Sequence, residues 1–270
     1  MKKTFWEIFD ILMKLIFVFI VIYLGYNLFI AEEKDIKRIG KLVSLFITYM
    51  IYLLRSRRED KVYKQIKKIY EEKYKEIIGE SFAKDKRSYK KLLQAIAHYN
   101  EDEFQKGHKI LDKLLKKCKS KKDYSAVYMF HALGFADEGR VDDTIAAYEK
   151  LLQYDSANSR AWSNLGMYYL ETGRMQEARM ACSNALMYNP DNAYAYNNLG
   201  ACYWQMGEPK QALDYALKAI GLNTTLHQAI GLAAMAYQTL GDTENAKKYC
   251  NMYGVNGGDA RELQEKLKCM

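Results

Sequence analysis

Apolar positions follow three different patterns along the chain. From Ile11 to Ala31 they run almost unbroken, as ILMKLIFVFIVIYLGYNLFIA, 21 residues with Lys14 as the one charge. A helix of that length spans about 31 Å, which matches a hydrocarbon core of about 30 Å. Leu42 to Leu54, LVSLFITYMIYLL, is apolar all round but reaches only about 20 Å. Lys41 and Arg55 bracket it, so it reads either as a short second span or as an interfacial helix. Beyond Arg55 the pattern becomes helical: Val62, Ile66, Ile69, Tyr70 and Ile77 recur among charges up to Ile78. From Ser88 to Lys117 two stripes follow each other. Leu92, Ala95, Ile96 and Tyr99 form one; Phe104, Gly107, Leu111, Leu114 and Leu115 form the other.

Downstream the pattern repeats. Gly139, Gly173, Gly207 and Gly241 lie 34 residues apart. Tyr128, Trp162, Tyr196 and Ile230 keep the same period. So do Phe135, Tyr169, Tyr203 and Tyr237, and Thr144, Ala178, Ala212 and Ala246. Each unit reads as two helices joined by a turn, with the recurring Gly ending the first. Pro209 falls in the first turn of a second helix, where its missing N–H costs nothing. Small residues at Gly166, Gly200, Ala178 and Ala212 let paired helices approach closely. One pair cannot bury its own apolar face, so the units must stack.

This frame resembles the tetratricopeptide repeat (TPR) family, whose signature is W-x2-L-G-x2-Y, then Ala, an aromatic and Pro, at a period of 34. Trp162, Leu165, Gly166 and Tyr169 with Ala178 and Pro190 carry it in one unit. Tyr196, Leu199, Gly200 and Tyr203 with Ala212 carry it in the next. The expected fold is all-α, a TPR-type helix-hairpin solenoid preceded by membrane-associated helices. Five segments are expected. Residues 1–54 form a membrane anchor, 55–87 a basic juxtamembrane helix and linker, and 88–124 a divergent TPR-like pair. Residues 125–258 form four repeats and 259–270 a capping helix. Asp259 would N-cap that last helix, and Leu263 and Leu267 would cover the open end of the stack.

Charge sharpens this organisation. The net +8 resolves into +2 over residues 1–54, +10 over 55–125 and −4 over 126–270. A basic block directly after apolar segments marks a cytoplasmic membrane face. Arg55, Arg57, Arg58, Lys61 and Lys64 supply that flank, and Lys2 and Lys3 favour a cytoplasmic N-terminus. The expected localisation is therefore membrane, with the repeats cytoplasmic. Cleavage as a signal peptide is disfavoured by the long apolar run and by Phe29 at the −3 position before Glu32. The basic block with Tyr63, Tyr70, Tyr74 and Tyr89 also allows contact with nucleic acid or anionic lipid. The positive-inside rule already accounts for these charges, so nucleic acid is not expected as a partner. Mean hydropathy of −0.37 excludes a polytopic transporter.

No catalytic constellation emerges. His98, His108, His131 and His227 are scattered, and His131 occupies a slot that is Leu165 or Leu199 in two other units, so it is expected in the core. Cys118, Cys182, Cys202, Cys250 and Cys269 show no Cys-x-x-Cys spacing, which argues against a disulfide framework and a thiolate metal site. Neither enzyme activity nor a cofactor is expected. A groove remains. The resemblance implies that the first helix of each pair lines a concave face. Met129 and Leu133 would stand exposed there, followed by Arg160, Ser163, Asn164, Met167 and Glu171, then Tyr194, Asn197, Asn198, Ala201, Trp204 and Gln205, and finally Gln228, Met235 and Gln238. Amides offer donors and acceptors to an extended backbone; Met and aromatic side chains offer adaptable apolar contact. A protein or peptide ligand is the expected partner, with the lipid bilayer contacted through residues 11–54. Some relatives clamp chaperone C-termini with Lys, Asn and Arg. The matching slots here hold Met129, Leu133 and Asn198, so no such clamp is expected, although Asn164 fits and Arg160 is near.

Overall fold

The computed structural model describes residues 81–83 and 85–268. The expected anchor, and most of the basic linker, lie outside the described residues. Among the described residues every regular element is a helix, and no helix is long and apolar enough to cross a membrane.

Numbered along the described residues, α1 (Lys86–Asn100) pairs with α2 (Phe104–Leu115), and α3 (Lys121–Asp137) with α4 (Val141–Tyr154). Three further pairs follow: α5 (Ser159–Glu171) with α6 (Met175–Tyr188), α7 (Ala193–Gln205) with α8 (Pro209–Leu222), and α9 (His227–Thr239) with α10 (Thr243–Val255). Each second helix also packs on the first helix of the next pair, so the hairpins stack into a solenoid. A last helix, α11 (Ala260–Lys268), lies against α9 and α10. Leu263 and Leu267 are buried there with Ala234 and Cys250.

The period of 34 has a direct backbone cause. Gly139, Gly173, Gly207 and Gly241 all sit at positive φ, between 72° and 83°. In each turn the N–H of the following residue reaches back to the carbonyl of the periodic aromatic: Arg140 to Phe135 (2.8 Å), Arg174 to Tyr169 (2.7 Å), Glu208 to Tyr203 (2.9 Å) and Asp242 to Tyr237 (2.9 Å). This six-to-one closure satisfies a helix-end carbonyl and needs a residue that tolerates the left-handed region. Arg140 and Arg174 then fold their guanidinium groups over the rings of Phe135 and Tyr169, at 4.5 and 4.2 Å.

Two helices begin earlier than the expected segment boundaries. Helix α1 starts at Lys86 because Asp85 accepts from the N–H groups of Arg87 and Ser88. Helix α3 starts at Lys121, not at 125, because Ser120 and Asp123 form a capping box. Asp123 does more than cap. Its carboxylate accepts from the N–H of Phe82 (2.7 Å), Lys119 (3.0 Å) and Ser120 (3.0 Å), which ties the start of the described chain to α3. Burial alone would raise its pKa, but these donors outweigh burial and hold it below 3.8. The stabilisation they give is present above about pH 3.8 and is lost as acid protonates the carboxyl. Asp123→Ala is expected to cost about 2 kcal/mol at pH 7, read as a fall in the urea midpoint. The difference between variant and parent should shrink as the pH falls below about 3.8.

One groove expectation is corrected. Met129 is buried, packed with Ile145, Tyr148, Leu151 and Leu165. Its slot faces inward elsewhere too: Ser163 and Gly231, 34 and 102 residues on, are also buried. Leu133 is half-buried against the same cluster.

Candidate peptide-binding groove

The helix starts build one wall of a cavity of about 970 Å3. The N-terminal turns of α3, α5 and α7 contribute Lys121, Lys122, Ser125, Arg160 and Tyr194. The loops entering α5 and α7 contribute Asp155, Asn158, Asn189 and Asn192. Two of these asparagines serve the fold. Asn158 and Asn192, 34 residues apart, cap α5 and α7 by accepting from the N–H of Ala161 (3.0 Å) and Ala195 (3.1 Å). Asn192 Nδ2 also donates to Ser159 Oγ (2.8 Å), and Ser159 Oγ donates to the Ala185 carbonyl (2.8 Å). The rim is thereby fixed across the repeat boundary.

Of the other expected groove residues, Arg160, Ser163, Asn164 and Tyr194 line this cavity; Met167, Glu171, Asn197, Asn198, Ala201, Trp204, Gln205, Gln228, Met235 and Gln238 do not. Tyr194 stands 58% exposed. Met167 and Gln205 are exposed along the same first helices, while Asn197, Trp204, Met235 and Gln238 are half-buried. Trp204 and Met235 lean on the core shared by α7 to α10. Asn198 is only 9% exposed, and its amide is already committed. Nδ2 donates to the Ser163 carbonyl (3.0 Å), and Oδ1 accepts from Asn197 Nδ2 (3.3 Å). It joins α5 to α7. Asn164 donates to the Tyr148 hydroxyl (2.8 Å), which positions it at the cavity wall.

Ser163, expected to stand exposed in the groove, is buried instead. The residue is 2% exposed, lines the cavity, and Oγ has no hydrogen-bond partner among the described residues. An unpaired buried hydroxyl costs about 1–3 kcal/mol until something bonds to it. Lys121, Lys122 and Arg160 line the cavity together with Asp155 and Asp191, so both charge signs are present. The side chains that sequence reasoning missed, Lys121 and Ser125, come from the start of α3, ahead of the periodic Tyr128.

Thiol and metal chemistry find little footing. Burial pushes Cys202 up to about 11 and Cys118 up to about 12, and it pushes Cys182 higher still. These thiols stay protonated at neutral pH and are inert as nucleophiles. Among the described residues, His98, Glu101 and Glu103 could approach one metal ion. Glu103 is already engaged by Lys106 and by His98 Nδ1 (2.6 Å), so the cluster reads as an ion-paired turn.

Residues 157–225 match one family model of the tetratricopeptide repeat, and residues 227–251 match another. These residues carry tetratricopeptide repeats. Solved structures agree on the fold of this TPR stack. Pseudomonas aeruginosa pilF is 23% identical, covering 68% of this chain and 83% of its own, with a TM-score of 0.58. BtubC from P. vanneervenii is 15% identical, covering 78% and 90%, with a TM-score of 0.57. MamA is 23% identical, covering 65% and 97%, with a TM-score of 0.52. No curated protein matches the sequence. At these identities the TPR likeness fixes the architecture and leaves the partner open. The tetratricopeptide repeat is a scaffold- or adaptor-type protein-interaction fold.

Proposed function

We propose that the protein is a membrane-tethered, non-catalytic adaptor whose repeats hold an extended protein segment in the groove. The observation that carries this reading is the polar cavity at the helix starts, where Asn164 in the wall and the exposed Tyr194 stand together. A ligand backbone pairs with Asn164 and the other polar wall groups, and Tyr194 supplies apolar area beside them. The tether is the apolar run from Ile11 to Ala31, with Leu42 to Leu54 beside it, and the basic flank favours a cytoplasmic stack. Anchoring concentrates weakly bound partners at the bilayer.

Partner capture from solubilised membranes tests the groove. Tyr194→Ala is expected to reduce recovery about tenfold, as for an exposed aromatic anchor. Asn164→Ala should weaken capture as well, since it removes a wall amide that a ligand backbone can bond. Full retention of every partner by both variants would exclude the groove. Deleting residues 11–54 should move the chain from the membrane to the soluble fraction. Unchanged fractionation would remove the tether from the proposal.

A further inference from the structure

The α1–α2 pair meets α3 through a buried polar cluster that the groove does not use. Tyr99, near the end of α1, lays its ring over Gly107 of α2 and Gly134 of α3, and a Cβ at either glycine would collide with it. His108 stacks on Phe135 with centroids 4.0 Å apart, and lies nearly parallel to His131 at 5.1 Å. His108 is 8% exposed and His131 5%. Their Nδ1 atoms are 2.9 Å apart, and the Tyr99 hydroxyl is 3.0 Å from His108 Nδ1. The outer nitrogens face carboxylates: His108 Nε2 is 3.5 Å from Glu138, and His131 Nε2 is 3.4 Å from Asp112. Arg140 binds the same Glu138 oxygen at 3.1 Å, and Asp137 adds negative charge near Tyr99.

Each neutral ring carries one proton on its two nitrogens. Two nitrogens at 2.9 Å share one proton, one donating and one accepting. Glu138 is the shielded carboxylate and Asp112 the exposed one, and His108 Nε2 is buried without a hydrogen-bond partner among the described residues, 3.5 Å from Glu138. The Tyr99 hydroxyl completes the contact at His108 Nδ1. A tetrahedral metal with nitrogen ligands at about 2.0–2.1 Å would hold the two atoms about 3.3 Å apart, so the spacing suits a shared proton better. A first extra proton places charge on a buried ring. A second sets N–H against N–H.

We propose that Tyr99, His108 and His131 form an acid-released latch, which holds the α1–α2 pair against the first repeat at neutral pH and lets go on proton uptake. Burial, and next the neighbouring His108, depress His131 to about 4. Burial also lowers His108, against the opposing pull of Glu138. A histidine depressed in the folded state stabilises it above its unfolded value of about 6.5, and that stabilisation drains away as pH falls toward 4. Release separates a helix pair from the end of the stack that begins with the cavity-lining turn of α3.

Amide exchange on the full chain in detergent tests the latch, with rates corrected for intrinsic pH dependence. Between pH 7 and pH 5, protection in α1 and α2 is expected to fall about 30-fold, while α9 and α10 hold theirs. That window lies above the titration of Asp123, so the carboxylate does not contribute. His131→Leu installs the residue of the equivalent slots at Leu165 and Leu199 and should flatten the pH response. Should that variant loosen α1–α2 already at pH 7, His108→Gln provides the same reading with an amide in place. Equal loss in α9–α10, or a pH response that survives both changes, overturns the latch. Protection that rises at pH 7 with one equivalent of Zn2+ overturns it in favour of a metal site.

Discussion

Tyr148→Ala is expected to destabilise the stack by about 4 kcal/mol. The ring belongs to α4 and is 1% exposed, packed with Met129, Leu151, Leu165 and Tyr169, so it joins the first repeat to the second. Truncation leaves a ring-sized void between two helix pairs that other contacts hold apart, and solvent does not fill an apolar void. The hydroxyl adds a smaller, separable part. It accepts from Asn164 Nδ2, and burial pushes the phenol pKa well above its ordinary value. Tyr148→Phe should therefore cost about 1 kcal/mol while freeing Asn164 to turn in the groove. Urea unfolding monitored at Trp162, beside this core, reads both variants. A loss under about 1 kcal/mol for the alanine variant would mean that the two repeats close over the gap, and that the ring is not the key between them.

The second large effect falls at Gly200. A Cβ there would lie 2.9 Å from Leu232, 3.1 Å from the Ala212 carbonyl and 3.4 Å from the Ala216 nitrogen. Two of those three neighbours are backbone atoms of α8, which cannot rotate aside. Gly200→Leu should force α7 away from α8 and cost about 3 kcal/mol, the upper end of core overpacking. Gly221, also helical, has nothing within 4 Å of a built Cβ. Gly221→Ala should accordingly stabilise by about 0.5–1 kcal/mol through helix propensity alone. The opposite signs are the test: two losses of similar size would show that the distance between backbones is not what selects glycine at 200.

The helical-hairpin architecture was legible in the sequence because each unit repeats the same local problem. The turn glycines need positive φ wherever they occur, and Gly166 and Gly200 need to be small for the same packing reason in two neighbouring pairs. Periodicity was weaker on the groove. It placed Arg160, Met167 and Tyr194 outward as found. It left Asn198 as a free amide, although the nearest acceptor to its side chain is the Ser163 carbonyl of the preceding repeat. It also treated Met129 as exposed, since a family pattern describes an average interface and not the one this core makes. The His108–His131 contact could not be read at all. Those residues lie 23 positions apart, outside the period, and only the docking of α2 on α3 brings them together.

The nearly identical turns at Gly173 and Gly207 carry a consequence for how such a chain changes length. Excising residues 174–207 would join Gly173 to Glu208, across two glycines whose φ values differ by one degree. The seam would fall on matching geometry, so whole hairpins are the quantum in which this architecture can gain or lose reach.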